Sequence, residues 1–154
     1  MNDAARELNR FRSGFLSGIV LLVIQFLLGM AVNLFVTVPK NHPGSNPSEF
    51  FTGVAQSVTW AILHGPILLV VHAIVGLLLV ISGFGVLARA VRLRKSGVTW
   101  AAVIGAIAIL VAGLNGGSFL NYHEDFSSMV MAAFFAIALI AYAAGLYVSG
   151  GKSA

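Results

Sequence analysis

The chain of 154 residues predicts an all-α fold, an integral membrane four-helix up-down bundle. Three observations carry this. Four apolar stretches, 14–38, 60–88, 98–119 and 126–149, hold no internal Lys, Arg, Asp or Glu. A hydrocarbon core of about 30 Å is crossed by roughly 20 apolar residues at about 1.5 Å each, so every stretch is long enough. Charged residues make up 9% of the chain and hydrophobic ones 58%, where a soluble domain carries about 25% charged residues. The third observation is the lopsided distribution of the basic residues. Backbone groups in lipid must be satisfied internally, and the runs are continuous rather than alternating, which selects helices over a barrel.

Arg6, Arg10 and Arg12 precede the first stretch, Arg89, Arg92, Arg94 and Lys95 fill the second connection, and Lys152 follows the last stretch. Lys40 alone falls on the other side. Under the positive-inside rule both termini and the 89–97 loop are expected in the cytoplasm, with the protein multi-pass in the cell membrane. The net charge of +4 then reports topology and attraction to anionic lipid headgroups, with no nucleic-acid partner. The first stretch exceeds the roughly 7–15 residues of a signal-peptide core, so it is expected to remain as a helix.

The elements follow in order along one domain, 1–154. The first outer connection, 38–59, is the longest. Asn46 as N-cap, Pro47 at the first helical position and Glu49 at the third predict a short helix starting within two residues of Pro47. It would lie at the outer interface and run toward Trp60, a residue type suited to that level. Pro66 either kinks one long helix or opens the second span after a break at His64 and Gly65. Asn121 to Glu124 read as a capping box for the last helix, with Asp125 in its first turn. Gly14, Gly18, Gly29, Gly76, Gly83, Gly85, Gly105, Gly113 and the alanines near 132–136 permit close helix contact.

No cysteine is present, which excludes disulfides, thiolate metal sites and iron–sulfur clusters within this chain. No span holds a Lys for a Schiff base, or a buried carboxylate of the kind proton-coupled exporters use. Histidine is the informative residue type, since imidazole ligates haem and metals and is costly in lipid without a partner. His64 lies 25 residues before Arg89 and His123 lies 27 before Gly150, which puts both roughly 38–40 Å above the basic end. Two histidines at one level on alternate helices match a clamp on a haem iron. His72 sits about 80° round from His64 and roughly 12 Å deeper, with Met30, Met129 and Met131 near its level. A His/Met pair is therefore a second geometry.

The run from Leu22 to Val32, with Gln25 and Gly29, resembles the first helix of the four-helix repeat of haem A synthases. Val71, His72, Ala73, Ile74, Val75 and Gly76 look like the haem-ligand turn of that family's second helix. Ala73 replaces the Arg that commonly follows the family's His, and the outer-loop cysteine pair is missing. The resemblance implies haem b near the outer face, with His72 or His64 opposite His123 and Gly76 clearing space for the porphyrin. It does not imply hydroxylation of a haem methyl, and no enzyme is assigned. The expected function is thus a small cytochrome b-like membrane protein for electron transfer, haem handling or redox sensing. A non-catalytic scaffold or accessory subunit, as a homo-oligomer or within a larger membrane complex, is the alternative. A small permease or channel comes third, for want of buried charge.

Overall fold

The computed structural model describes residues 3–150, with side chains from Phe11 onward. Those residues form five helices: α1 (Asp3–Phe35), α2 (Phe50–His64), α3 (Ile67–Leu93), α4 (Ser96–Tyr122) and α5 (Asp125–Gly150). Four of these carry segments long and apolar enough to cross a membrane: Phe11–Phe35, Ile67–Leu93, Ser96–Tyr122 and Asp125–Gly150. Among the described residues there is no strand. The all-helical membrane architecture is as the sequence predicts.

The four long helices close a ring, α1 on α3, α3 on α4, α4 on α5 and α5 back on α1, with the α4–α5 contact the most extensive. Short connections make sequence neighbours antiparallel neighbours in space. The basic residues of the α3–α4 turn share one end of the bundle with Arg12. At the other end α2 packs against α3 and α4.

Lipid gives helices no hydrophobic reason to associate, so close packing must hold the ring together. Its centre is Tyr142 on α5, 1% exposed. A Cβ at Gly18 of α1 would run into one edge of this ring, and a Cβ at Gly105 of α4 into the opposite edge. Phe15, 0% exposed, meets Tyr142 edge-on at 5.3 Å and occupies the space that Gly145 leaves. Large rings on two helices thus fill gaps left by glycines on their neighbours.

Several element boundaries differ from the sequence reading. The second span begins at Ile67, not at residue 60, because Gly65 and Pro66 are both extended (ψ 162 and 147) and separate α2 from α3. It also runs on to Leu93, stopped by Arg94 in the left-handed region at φ 51. The expected 89–97 loop is therefore a tight turn, and Arg89 and Arg92 ride on the end of α3, where the helix dipole favours cations. The helix α2 starts at Phe50, three residues after Pro47. Its N-cap is Glu49 instead of Asn46; the carboxylate accepts from Phe51 N at 3.0 Å and Thr52 N at 2.6 Å. Asn46 is diverted, with φ 47 and its amide donating to the Asn121 carbonyl at 2.8 Å. The capping box at 121–124 does not form either. Asn121 belongs to the last turn of α4, and His123 is that helix's C-cap, with φ 58 and its N–H bonded to Phe119 O at 2.8 Å. Asp125 does stand in the first turn of α5.

Candidate functional site

Apart from the cations of the basic end, the side chains that could carry chemistry fall into two groups: one inside the spans and one at the end capped by α2. Within the spans, Gln25 of α1 faces His72 of α3. The Gln25 amide nitrogen donates to the His72 carbonyl at 3.2 Å and lies 3.3 Å from His72 Nε2. An amide NH₂ can only donate, so this contact makes Nε2 the acceptor and puts the ring proton on Nδ1. That Nδ1 and the Gln25 carbonyl oxygen are both buried without a partner. The seam thus keeps one unmatched donor and one unmatched acceptor, a costly arrangement in an apolar medium.

Two glycines make the seam possible. A Cβ at Gly29 would stand 3.1 Å from His72 Cε1, and one at Gly76 would stand 3.0 Å from Gln25 Nε2. Each glycine clears the polar side chain of the facing helix. Gly76 therefore makes room for the Gln25 amide, not for a porphyrin. Ile24 and Val71, adjacent in sequence to the pair, are 42% and 38% exposed and line the outer edge of this face.

At the capped end His42 is buried between the loop, α2 and α4. Its ring stacks on Trp60 at 4.3 Å and 14°. Its Nε2 lies 3.1 Å from Leu120 O and its Nδ1 2.9 Å from Pro43 O. His123 reaches Pro39 O at 3.3 Å, with its ring centroid 5.8 Å from that of His42. Beneath them Asn121 and Ser57, both 0% exposed, lie 2.7 Å apart. The Asn121 amide finds most partners with its nitrogen toward Gly44 O and Gly53 O, each at 3.1 Å. These bonds lash the 36–49 segment and α2 to the end of α4. No local spacing in the sequence marks His42, because its partners Trp60 and Leu120 are remote along the chain.

The three candidate ligands therefore go to three places. His72 faces α1, His123 holds the loop, and His64 is exposed at the end of α2, beside a shallow groove with Pro43, Gln56 and Trp60. The methionines do not complete a pair: Met30 and Met129 are 43% and 61% exposed, and the Met131 sulfur lies 3.3 Å from where a Cβ at Gly116 would stand. A porphyrin gripped from both faces needs two ligands opposed across an open slot. The packing around His72 supplies neither slot nor opposing ligand, so these residues do not fit a bis-axial haem. Among the described residues no group of three or more His, Asp or Glu could hold a metal ion.

No family model matches the chain, and neither a curated protein nor a solved structure is detectably similar to it. The fold and its packing define a class, a multi-pass helical membrane protein with an α2-capped end and a Gln25–His72 polar pair within its spans.

Proposed function

We propose that this chain is a non-catalytic accessory subunit of a larger membrane assembly, with its basic end in the cytoplasm, and that it docks through the α1–α3 face. The observation that supports this is the pair of unmatched groups, Gln25 Oε1 and His72 Nδ1, behind the exposed Ile24 and Val71. Polar groups within spans find their partners on neighbouring helices, and such hydrogen bonds act as glue in lipid. A polar side chain from an adjoining helix, entering between Ile24 and Val71, supplies the missing acceptor and donor. His42 and His123 have a structural task, holding the loop against α2 and α4. The test is a photo-crosslinking residue at Val71 in native membranes, with one at Ile140 on α5 as control. A discrete protein adduct at Val71, absent at Ile140 and lost on Gln25→Leu, is expected. Adducts to lipid alone, or an adduct indifferent to Gln25→Leu, would refute the docking face.

A second reading, a small b-type haem protein for electron transfer or haem handling, has one observation in its favour: His72 keeps a ring nitrogen free of partners. His72 would be the single histidine ligand through Nδ1, with its ring proton moved to Nε2 and accepted there by the Gln25 carbonyl oxygen once that amide turns over; haem would supply the redox chemistry. Spectra of detergent-purified protein, oxidised and reduced, decide between the readings. A Soret band lost on His72→Ala supports haem, while a colourless protein from haem-replete cells leaves the accessory reading.

A further inference from the structure

We propose that the groove between α1 and α5 at the basic end is a binding site for one anionic phospholipid, with its phosphate on Arg12. The groove is open to its surroundings and offers about 590 Å³ between Arg12 and Ile19 on α1 and Ala143, Leu146 and Val148 on α5. The two helices run antiparallel, and their levels match along the seam. Arg12 stands by Gly150, where a Cβ would touch Nη2 at 3.5 Å; one to two turns further in, Phe15 meets Gly145 and Gly18 meets Tyr142. Residues 12 to 19 rise about 10 Å. The groove therefore has a cation at its mouth and an apolar wall of that depth below it.

This is the polarity of a phospholipid. The guanidinium offers several N–H donors in a fork that suits two phosphate oxygens, and Arg12 is exposed to make that contact. Tyr147 lines the same groove and is 86% exposed, placing a phenol at the level where amphipathic rings meet headgroups. An acyl chain then lies along Ile19 and Leu146. Among the described side chains, those at this end include Arg12, Arg89, Arg92, Arg94 and Lys95 and no carboxylate. Of these cations, Arg12 is the one that lines the groove. A free phosphate would leave the apolar wall unused, and a lipid of zero net charge would leave the surrounding cations unmatched.

The experiment uses the full chain in mild detergent, stripped of lipid and then offered phosphatidylglycerol or phosphatidylcholine of identical acyl chains. Retained lipid is counted by native mass spectrometry. The wild type is expected to keep one phosphatidylglycerol in preference to phosphatidylcholine. Arg12→Gln should lower that retention about fivefold, the effect of one basic contact at a membrane surface, while Arg92→Gln should leave it unchanged. Ala143→Phe, which fills the apolar wall, should reduce both lipids together. Equal retention of the two lipids by the wild type, or equal losses in Arg12→Gln and Arg92→Gln, would show diffuse charge attraction and overturn the site. A stable dimer that buries Tyr147 would overturn it too. Arg12 is exposed, so Arg12→Gln keeps the fold, and an unshifted thermal transition in detergent verifies this.

Discussion

Tyr142 is held from both edges of its ring, which sets up a double-mutant test of the whole packing scheme. A Cβ at Gly18 collides with the Cδ2–Cε2 edge and one at Gly105 with the Cδ1–Cε1 edge. Gly18→Ala alone pushes the ring toward α4 and Gly105→Ala alone pushes it toward α1. Each inserts one methyl into a filled core, at a cost of about 1–3 kcal/mol. With both present the ring has no direction of retreat, so the double variant should lose more than the sum, by about 1 kcal/mol or more. Tyr142→Ala by itself should cost about 3 kcal/mol or more, through lost contacts and the cavity left behind. In that background Gly105→Ala should turn neutral or mildly stabilising, because its methyl enters vacated space. Gly85→Ala is the control: a Cβ there meets nothing within 4 Å, so relief of glycine's backbone entropy should stabilise by about 0.5–1 kcal/mol. Reversible unfolding in mixed micelles of dodecyl maltoside and dodecyl sulfate, read by tryptophan fluorescence, gives all six values. Simple additivity of Gly18→Ala and Gly105→Ala, with the cost of Gly105→Ala unchanged in the Tyr142→Ala background, would refute the wedge.

Four further outcomes are expected. Asn121→Ala strips the partner from buried Ser57 and frees the loop carbonyls, at about 1–3 kcal/mol, and should speed amide exchange across 44–54; unchanged exchange would exclude Asn121 as the strap. His42→Ala removes the Trp60 stack and the tie to Leu120 and should raise protease cleavage within 39–46 without loss of helical circular dichroism. Hydrogen bonds from Thr52, hydroxyl and amide, and from the Phe51 amide hold the Glu49 carboxyl below its ordinary value. A folded value below the unfolded one means its capping is present at neutral pH and lost as acidification passes the lowered folded value. Exchange at Phe51 and Thr52 should therefore accelerate there, and Glu49→Gln should abolish that pH dependence. Cysteines at Ser45 and Ser96 should report topology, with impermeant reagent labelling Ser45→Cys from outside and sparing Ser96→Cys; the reverse would invert the orientation.

Length and polarity of apolar runs are properties of local sequence, so the sequence by itself determined the four membrane-spanning helices, the extra helix before the second span and the clustering of cations at one end. Glu49 and Pro66 were legible as punctuation for the same reason, though which residue capped α2 was not. Asn46 and Glu49 compete for that position, and Asn46 stands instead in the left-handed region with its backbone N–H on the Asn121 backbone carbonyl from across the fold. The same holds for the polar residues inside the spans. Sequence places Gln25 and His72 at membrane depth, but their contact joins residues 47 apart. It rests on the α1–α3 crossing, which the ring order of the bundle and the space at Gly29 and Gly76 decide. Matching His64 with His123 by depth used the rise along a helix and ignored rotation about it. In the tertiary structure α2 is a separate helix that leaves His64 exposed, while the left-handed C-cap at His123 delivers its imidazole to the loop beside His42. Rise is fixed by backbone geometry, whereas azimuth and partner are fixed by which small residues let which helices approach.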